Sequence, residues 1–409
     1  MHFLSFLSLL ASFVTSTLAA PAATLHTVEG FAGEKTGRFL VTLKPGVTRS
    51  SVLAQLGQSA TVTHEWDLVN GFAGHLDDDA LSSLRSNPDV ANIAEDGIFW
   101  TQITQTNAPW GLSRLSAMTK LVNQDTSALT FNYDYNANPG AGVDIYIIDT
   151  GIYTQHSQFG GRASWGATFG TNFANADGNG HGTHCAGLAG GQQFGVAKSA
   201  NLIAVKVLAD NGGGAAADIV SGMNWVAQQF ASTGRPAVAS MSLSGLGSTT
   251  LDSGVAALTS AGVHVTVAAG NDGNDACGVS PARAPSAITV GAATILDSRS
   301  SWSNFGSCVD LFAPGSNIIS SWIGNTTATN TISGTSMATP YVAGVIAYLI
   351  GENGNMSPAK MDTLLKSVSL QNILAGICEY LLLTFELGNT NALSYSDSGT
   401  VNILAHNGN

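Results

Sequence analysis

The chain has 409 residues, a net charge of −12, only 10% charged residues and 47 glycines. This composition excludes a disordered polymer and suits a compact, turn-rich protein with room for one large domain and a smaller one. The acidic balance gives no footing for nucleic acid or an anionic membrane surface as partner.

Residues 3–14 form an apolar run too short to cross a bilayer, followed by the small residues Thr17-Leu18-Ala19. The pattern predicts a signal peptide over residues 1–19, cut near Ala19, although its first residues carry His2 and no Lys or Arg. No later stretch is long and apolar enough to serve as an anchor, so a secreted, extracellular protein is expected. The cysteines Cys185, Cys277, Cys308 and Cys378 are few for a disulfide scaffold, but a secreted route permits a bridge.

Residues 20–101 predict a small α+β module. Phe39, Val41 and Leu43 alternate as in a strand, and residues 50–56 are helical. Strands over 62–66 and 71–76 flank a hairpin-type turn at Val69-Asn70-Gly71. Asp77-Asp78-Asp79 caps a helix through Leu84, Pro88 ends it, and 90–94 is a last strand. The order β-α-β-β-α-β is the ferredoxin-like arrangement. The module holds no catalytic constellation, so it reads as a structural appendage or a pro-domain. Its place between a signal peptide and a catalytic-looking domain favours the second.

In residues 102–409, strands are expected over 142–148, 202–208, 237–243, 263–268 and 287–292. Helices are expected over 219–230, 251–259 and 341–350, the last with Val342, Val345, Ile346 and Leu349 at helical spacing. This alternation implies βαβ units and an α/β, three-layer αβα domain with a mostly parallel sheet. Functional residues of such sheets collect at the carboxyl ends of strands, where Asp149 and Asn271 both fall.

His181-Gly182-Thr183-His184-Cys185-Ala186-Gly187 opens a small-residue helix after Gly178-Asn179-Gly180. Taken singly, each signal is weak. A lone Asp at a strand end is usually a turn or capping residue, and a lone His is usually structural. His181 and His184, three apart, admit a zinc site, but no third ligand stands near and the spacing is not the metalloprotease one. Gly334-Thr335-Ser336-Met337-Ala338-Thr339-Pro340 lies where a polar loop meets the helix 341–350. The free N–H groups and positive dipole end of that helix suit a developing negative charge, and Gly334 is expected to let the backbone turn tightly. An isolated Ser336 would be read as an ordinary N-cap. The ordered set of Asp149-Thr150-Gly151, His181-Gly182-Thr183-His184, Asn271 and Gly334-Thr335-Ser336-Met337-Ala338 is very specific and makes Ser336 a candidate nucleophile.

That set resembles the subtilisin superfamily of serine proteases, and most closely its proteinase K-like branch, over nearly the whole chain. Residues 105–112 resemble that branch's mature N-terminus, and the module 20–101 resembles the inhibitory pro-domain, with a maturation cut near 101–103. The resemblance implies a zymogen whose Ser336 attacks the peptide carbonyl, with His181 as general base and then acid, and Asp149 fixing the imidazole tautomer and stabilising its cation. The Asn271 amide and the Ser336 N–H would bind the oxyanion. The order Asp…His…Ser and the Gly-Thr-Ser-Met-Ala context separate the chain from lipases and esterases, which run Ser…Asp…His with a Gly-x-Ser-x-Gly elbow.

The resemblance also implies a binding surface. Gly212-Gly213-Gly214 would pair with an extended peptide, while Ser242-Leu243-Ser244 and Ala268-Ala269-Gly270 would wall an uncharged side-chain pocket. Apolar or aromatic residues before the cut, with loose selectivity, are expected. Ser244, where close relatives usually have Gly, is expected to narrow the pocket. A Cys277–Cys308 disulfide, a free buried thiol at Cys185, and a calcium site of Asp310 with the carbonyls of Pro285 and Ala287 are implied as well. Asn325-Thr326-Thr327 and Asn355-Met356-Ser357 fit glycosylation sequons. No organic cofactor is expected. The expected partners are protein and peptide substrates and the chain's own pro-domain, with the enzyme a monomer.

The family pattern breaks between Gly376-Ile377 and Ser398-Gly399-Thr400, where residues 378–397 are extra. Cys378-Glu379-Tyr380 admits codons containing the splice-donor string GTGAGT, and Ser396-Asp397 admits an acceptor, so the insert is read as a retained intron. A real surface insertion is the competing reading, and Cys378 would then be unpaired. For the whole chain, a vacuolar processing protease and a non-catalytic binding protein on the same fold are the competing functions. Intact catalytic positions weigh against the second.

Overall fold

The computed structural model describes residues 25–31, 35–98, 101–377 and 399–408. The chain divides into two compact units, Met1–Ile98 and Phe99–Asn409. The extra residues 378–397, Cys378 among them, and the signal segment lie outside the described residues.

The first unit runs β1 (Val28–Glu29), β2 (Lys35–Leu43), α1 (Arg49–Leu56), β3 (Ala60–Trp66), β4 (Gly71–Leu76), α2 (Asp78–Ser86) and β5 (Val90–Gly97). Its sheet order is β1-β5-β2-β4-β3, so the expected ferredoxin-like core is present with one extra two-residue strand at the β5 edge, running parallel to it. Alternate residues of β2 turn inward: Val41 and Leu43 join Val52, Leu56, Phe72, Leu84 and Ile93 in the core. Asp77 caps α2 as expected, accepting the Ala80 N–H at 2.8 Å. Asn70 supplies the left-handed residue of the β3–β4 turn, with φ 43°.

The second unit continues with β6 (Gln102–Ala108), α3 (Trp110–Arg114), β7 (Phe131–Asn136), β8 (Asp144–Asp149), β9 (Ala163–Thr168), α4 (His181–Gly190), β10 (Asn201–Lys206), α5 (Ala216–Thr233) and β11 (Ala237–Met241). Then follow β12 (Gly245–Leu246), α6 (Thr249–Ser260), β13 (His264–Ala268), β14 (Val279–Ser280), β15 (Ile288–Ala293), β16 (Leu311–Pro314), β17 (Ile318–Ser321) and β18 (Thr329–Ile332). The chain closes with α7 (Thr335–Asn353), α8 (Pro358–Val368), β19 (Leu370–Gln371) and β20 (Ile403–Leu404).

Nine strands form the main sheet, in the order β19-β20-β16-β15-β13-β11-β8-β10-β9. All neighbours are parallel except β19 and β20. Strands covered on both faces read as continuous apolar runs, and the two-residue pleat then sorts their side chains. Ile145, Ile147, Leu202 and Ala204 enter the core under α4 and α7. Tyr146, Ile148, Ile203 and Val205 enter the core under α5 and α6. From β8 the chain builds β10 on one side and β11 on the other, so the carboxyl end of β8 is a topological switch point. Asp149 is its last residue.

Three differences from the expected elements bear on the site. The strand expected over 237–243 leaves the sheet after Met241, which frees residues 242–244 to line a cleft. The short strands β9 and β16 escaped the periodicity reading; β9 is interrupted by Gly166, and β16 has four residues ending in Pro314. The helix expected over 341–350 begins at Thr335 and carries Pro340 inside it. That helix is buried along most of its 19 residues, so its apolar residues encircle it. Cys277 and Cys308 are disulfide-bonded, and Cys185 is free and buried, both as expected. No helix among the described residues is long and apolar enough to cross a membrane.

Candidate active site

α4 brings His181 to Asp149 through contact between two glycines. A Cβ on Gly182 would lie 2.1 Å from the carbonyl oxygen of Gly151, so only hydrogen lets the helix start approach the end of β8 this closely. Asp149 is fully buried there. His181 Nδ1 is 2.8 and 3.0 Å from the Asp149 carboxylate oxygens, one of which also accepts the Thr150 N–H at 2.7 Å. A carboxylate accepts only, so Nδ1 carries a proton and Nε2 is the nitrogen that gains a lone pair when the ring is neutral. Burial works against the imidazolium, but the Asp149 charge outweighs it and holds the His181 pKa well above its ordinary value.

Asp177 escaped the sequence reading because a single acid four residues ahead of a His looks like any turn residue. It is buried and holds the whole start of α4. Its carboxylate accepts the N–H groups of Asn179, Gly180 and Thr183 and the hydroxyls of Thr150 and Thr183, at 2.6–3.1 Å. Thr150 Oγ1 in turn accepts the Gly182 N–H at 2.9 Å. Asp177 therefore ties the residue after Asp149 to the residues around His181. The signal that could have found it is the Asp-x-x-Gly-His run, an N-cap box set just before the helix.

Ser336 lies in the first turn of α7. Pro340 has no N–H, so the Ser336 carbonyl lacks its helical partner four residues on. That carbonyl accepts the Ser242 hydroxyl at 2.8 Å and the Cys185 thiol at 3.5 Å instead. The same Cys185 sulfur is 3.9 Å from His181 Nδ1, so one buried thiol touches both the histidine and the serine. Burial raises the thiol pKa and keeps it neutral. The Ser336 hydroxyl donates to the Ser242 carbonyl at 3.2 Å, and no hydrogen bond joins it to His181. Gly334 does not make the tight turn expected of it. Its backbone is extended, with φ 166°, and an added Cβ would meet only ordinary contacts.

Asn271 follows β13. Its side-chain oxygen accepts the Thr335 N–H at 2.8 Å and the Thr335 hydroxyl at 2.9 Å. With Oδ1 so engaged, the amide NH₂ is the free end. A cleft of ≈ 530 Å³ runs between Gly212-Gly213-Gly214 and Ser242-Leu243-Ser244, with Leu208, Ile219 and Leu251 in its apolar lining and His181 at its edge. Ala268, Ala269 and Gly270 do not line it. They are buried, with the Ala269 carbonyl accepting Asn304 Nδ2 at 2.9 Å.

His184 is structural. Its Nε2 is 3.1 and 3.2 Å from the carbonyls of Ile318 and Asn330, which clips α4 to the β17–β18 hairpin. Burial drives its pKa down to about 3, so it is neutral. Asp149, His181 and Cys185 bring donor atoms within 4.8 Å of one another, but a metal there would displace the hydrogen bond between His181 Nδ1 and Asp149.

The calcium expectation is corrected. Asp310 Oδ1 accepts the Lys366 ammonium at 2.8 Å, and Oδ2 accepts the Thr289 N–H at 2.8 Å. Both oxygens are engaged and an ammonium already sits where a divalent ion would bind, so these residues do not fit one, although Pro285 and Ala287 line the same cleft. Of the sequon residues, Asn325 is exposed, and Asn355 is exposed with its side-chain oxygen 3.1 Å from His264 Nε2.

Comparison with known proteins agrees with this geometry. Residues 140–393 match the model of the Subtilase family, and residues 38–101 match that of Peptidase inhibitor I9. A subtilisin-like protease of Coccidioides posadasii is 44% identical over 364 residues, covering 84% of this chain and 70% of that protein. Alkaline protease 2 of Aspergillus fumigatus is 43% identical over 375 residues, covering 87% of this chain and 72% of its own. The crystal structure of a cold-adapted subtilisin-like serine proteinase superposes with a TM-score of 0.62 at 44% identity, covering 74% of this chain and 98% of that one.

Proposed function

The chain belongs to the subtilase family and is a subtilisin-like serine endopeptidase preceded by an inhibitor I9-type pro-domain; on that premise we propose that Asp149, His181 and Ser336 hydrolyse peptide bonds through an acyl-enzyme. The Asp149–His181 pair carries this reading: it orients the imidazole through Nδ1 so that Nε2 is the nitrogen left to act as base once the ring is neutral, and Cys185 touches both that ring and the Ser336 carbonyl. In the resting rotamer the Ser336 hydroxyl donates to Ser242, so attack begins with its turn toward His181 Nε2. The proton passes to Nε2, Asp149 stabilises the resulting imidazolium, and His181 returns the proton to the leaving amine. The oxyanion falls to Asn271 Nδ2 and the Ser336 N–H.

The substrate is an extended polypeptide lying against Gly212-Gly213-Gly214, with apolar or aromatic side chains favoured by the cleft's leucine and isoleucine lining. Ser244 lines that cleft and narrows it relative to a glycine there. Residues 1–19 act as signal peptide, 20–101 as pro-domain and 102–409 as peptidase. A cut near 101–103 falls at the start of β6 and leaves nearly all of that strand with the mature enzyme. Secretion is supported by the apolar run at 3–14 and by the Cys277–Cys308 bridge. Asn325 and Asn355 are the glycan acceptors on that route.

A fluorophosphonate probe tests the assignment. The secreted chain is expected to label at Ser336 and to cleave a peptide library after apolar residues. Ser336→Ala is expected to abolish both, a loss of order 10⁶ in turnover by analogy with a related protease of this superfamily. Labelling elsewhere, or near-normal turnover of the variant, refutes it.

A further inference from the structure

The corner where α8 meets the amino ends of β15 and β16 is held by a charge of the chain's own. Asp310 immediately precedes β16, and Thr289 is the second residue of β15. The Thr289 N–H binds one oxygen of Asp310, and the Lys366 ammonium from α8 binds the other at 2.8 Å. Lys366 also reaches Asp362, one helical turn back, at 2.9 Å. The three side chains are 27–32% exposed, so the network is neither in bulk water nor sealed from it. Around it lies a cleft of ≈ 520 Å³ lined by Pro285, Ala287 and Thr363 among others.

We propose that Lys366 is a built-in substitute for a divalent cation, fastening α8 to the sheet so that this corner needs no metal. A calcium ion binds carboxylate oxygen at about 2.4 Å. Placed on Asp310 it would sit close to an ammonium held 2.8 Å from the same carboxylate, and like charges at that range repel strongly in a half-buried site. One cation excludes the other. The lysine has the advantage of being tethered: it pays no association entropy, and its two acidic partners come from α8 and the sheet. Removing the ammonium leaves the two carboxylates of Asp310 and Asp362 in one cleft lined also by Pro285 and Ala287, a pair of hard oxygen ligands of the kind calcium takes. This inference does not depend on the hydrolytic reading.

Full chains carrying Ser336→Ala, which removes self-digestion, are compared with and without Lys366→Ala. Isothermal titration with calcium counts bound ions, and thermal melting is read in EDTA and in millimolar calcium. The Lys366→Ala chain is expected to bind one more calcium than its parent, to melt a few degrees lower in EDTA, and to recover most of that loss in calcium. Lys366→Gln is the second variant should the alanine chain not fold, with the same expected gain of one ion. Adding Asp310→Asn should abolish the gained ion. Equal calcium counts with and without Lys366, or a lysine-free chain as stable in EDTA as its parent, overturns the proposal.

Discussion

The starts of α4 and α7 carry His181 and Ser336, the proposed base and nucleophile, yet they treat their backbone N–H groups in opposite ways. At α4 every donor of the first turn is engaged: His181 N–H by Asn179, Gly182 by Thr150, Thr183 by Asp177 and His184 by the Gly180 carbonyl. At α7 Thr335 is engaged by Asn271 and Met337 by Gly334, while no partner among the described residues takes the Ser336 N–H. A helix start leaves donors without intrahelical partners, and chains normally cap them. Full capping makes α4 a rigid mount for a base. The open donor at α7 is a place where negative charge can arrive. The same local feature serves holding in one helix and receiving in the other.

The strongest way to break the α4 mount is Asp149→Asn, which keeps the shape and removes the charge. Turnover should fall about 10⁴-fold, as when the orienting carboxylate of a triad is lost. The working form of His181 is neutral, and its folded pKa is raised above 6.5, so kcat/KM should rise with pH along a limb centred above 6.5. The same raised pKa stabilises the fold fully below the unfolded value and loses that contribution as pH climbs through the folded one. Stability and activity should therefore move in opposite directions in that window. In Asp149→Asn the limb should shift down, and a pH-rate profile reads it.

At α7, Asn271→Ala should cost about 10²–10³ in kcat with KM little changed. Asn271→Asp sharpens the comparison, because it keeps an acceptor for the Thr335 N–H and loses the donor. Its melting point should fall less than that of the alanine variant while its turnover stays as low or lower. A variant with the donor gone and turnover intact would remove the receiving role from this helix start.

Asp177→Ala strips the cap from α4 and leaves several buried donors unmet. A loss of about 2–3 kcal/mol in stability is expected, with a roughly tenfold fall in kcat from looser placement of His181. Asp177→Asn should recover part of both. The smallest effect is expected outside the comparison. Deleting residues 378–397 should leave melting and kcat near those of the parent, because Asn402 already binds Leu374 through its N–H and carbonyl at 2.9 and 2.8 Å and keeps the flanks side by side. A transcript that retains these codons would show the insert to be real.

Much of this was legible beforehand because long apolar strands and helices carry strong periodic signals. β8, β10, β11, β13 and β15 overlap the expected strands, and Asp149 and Asn271 follow from strand ends. The short elements were not legible, since two to four residues hold too little pattern. The family resemblance makes Asp310 an expected metal ligand; its partner, Lys366, lies 56 residues away on α8, and one-dimensional spacing cannot announce such a meeting. Asp177 was overlooked for a related reason: a cap declares itself through backbone donors, which every residue has. Gly334 misled because glycine permits a turn without requiring one.

Pro340 makes the Ser336 peptide answer to two neighbours at once. Any other residue at 340 would offer an N–H to the Ser336 carbonyl and compete with the Ser242 hydroxyl that now occupies it. Alanine there would improve helix propensity and could still blunt the enzyme, by drawing the serine into a regular coil and slackening its crosslink to the wall of the cleft. Efforts to make this protease hardier would do best to leave that one break in the coil unrepaired.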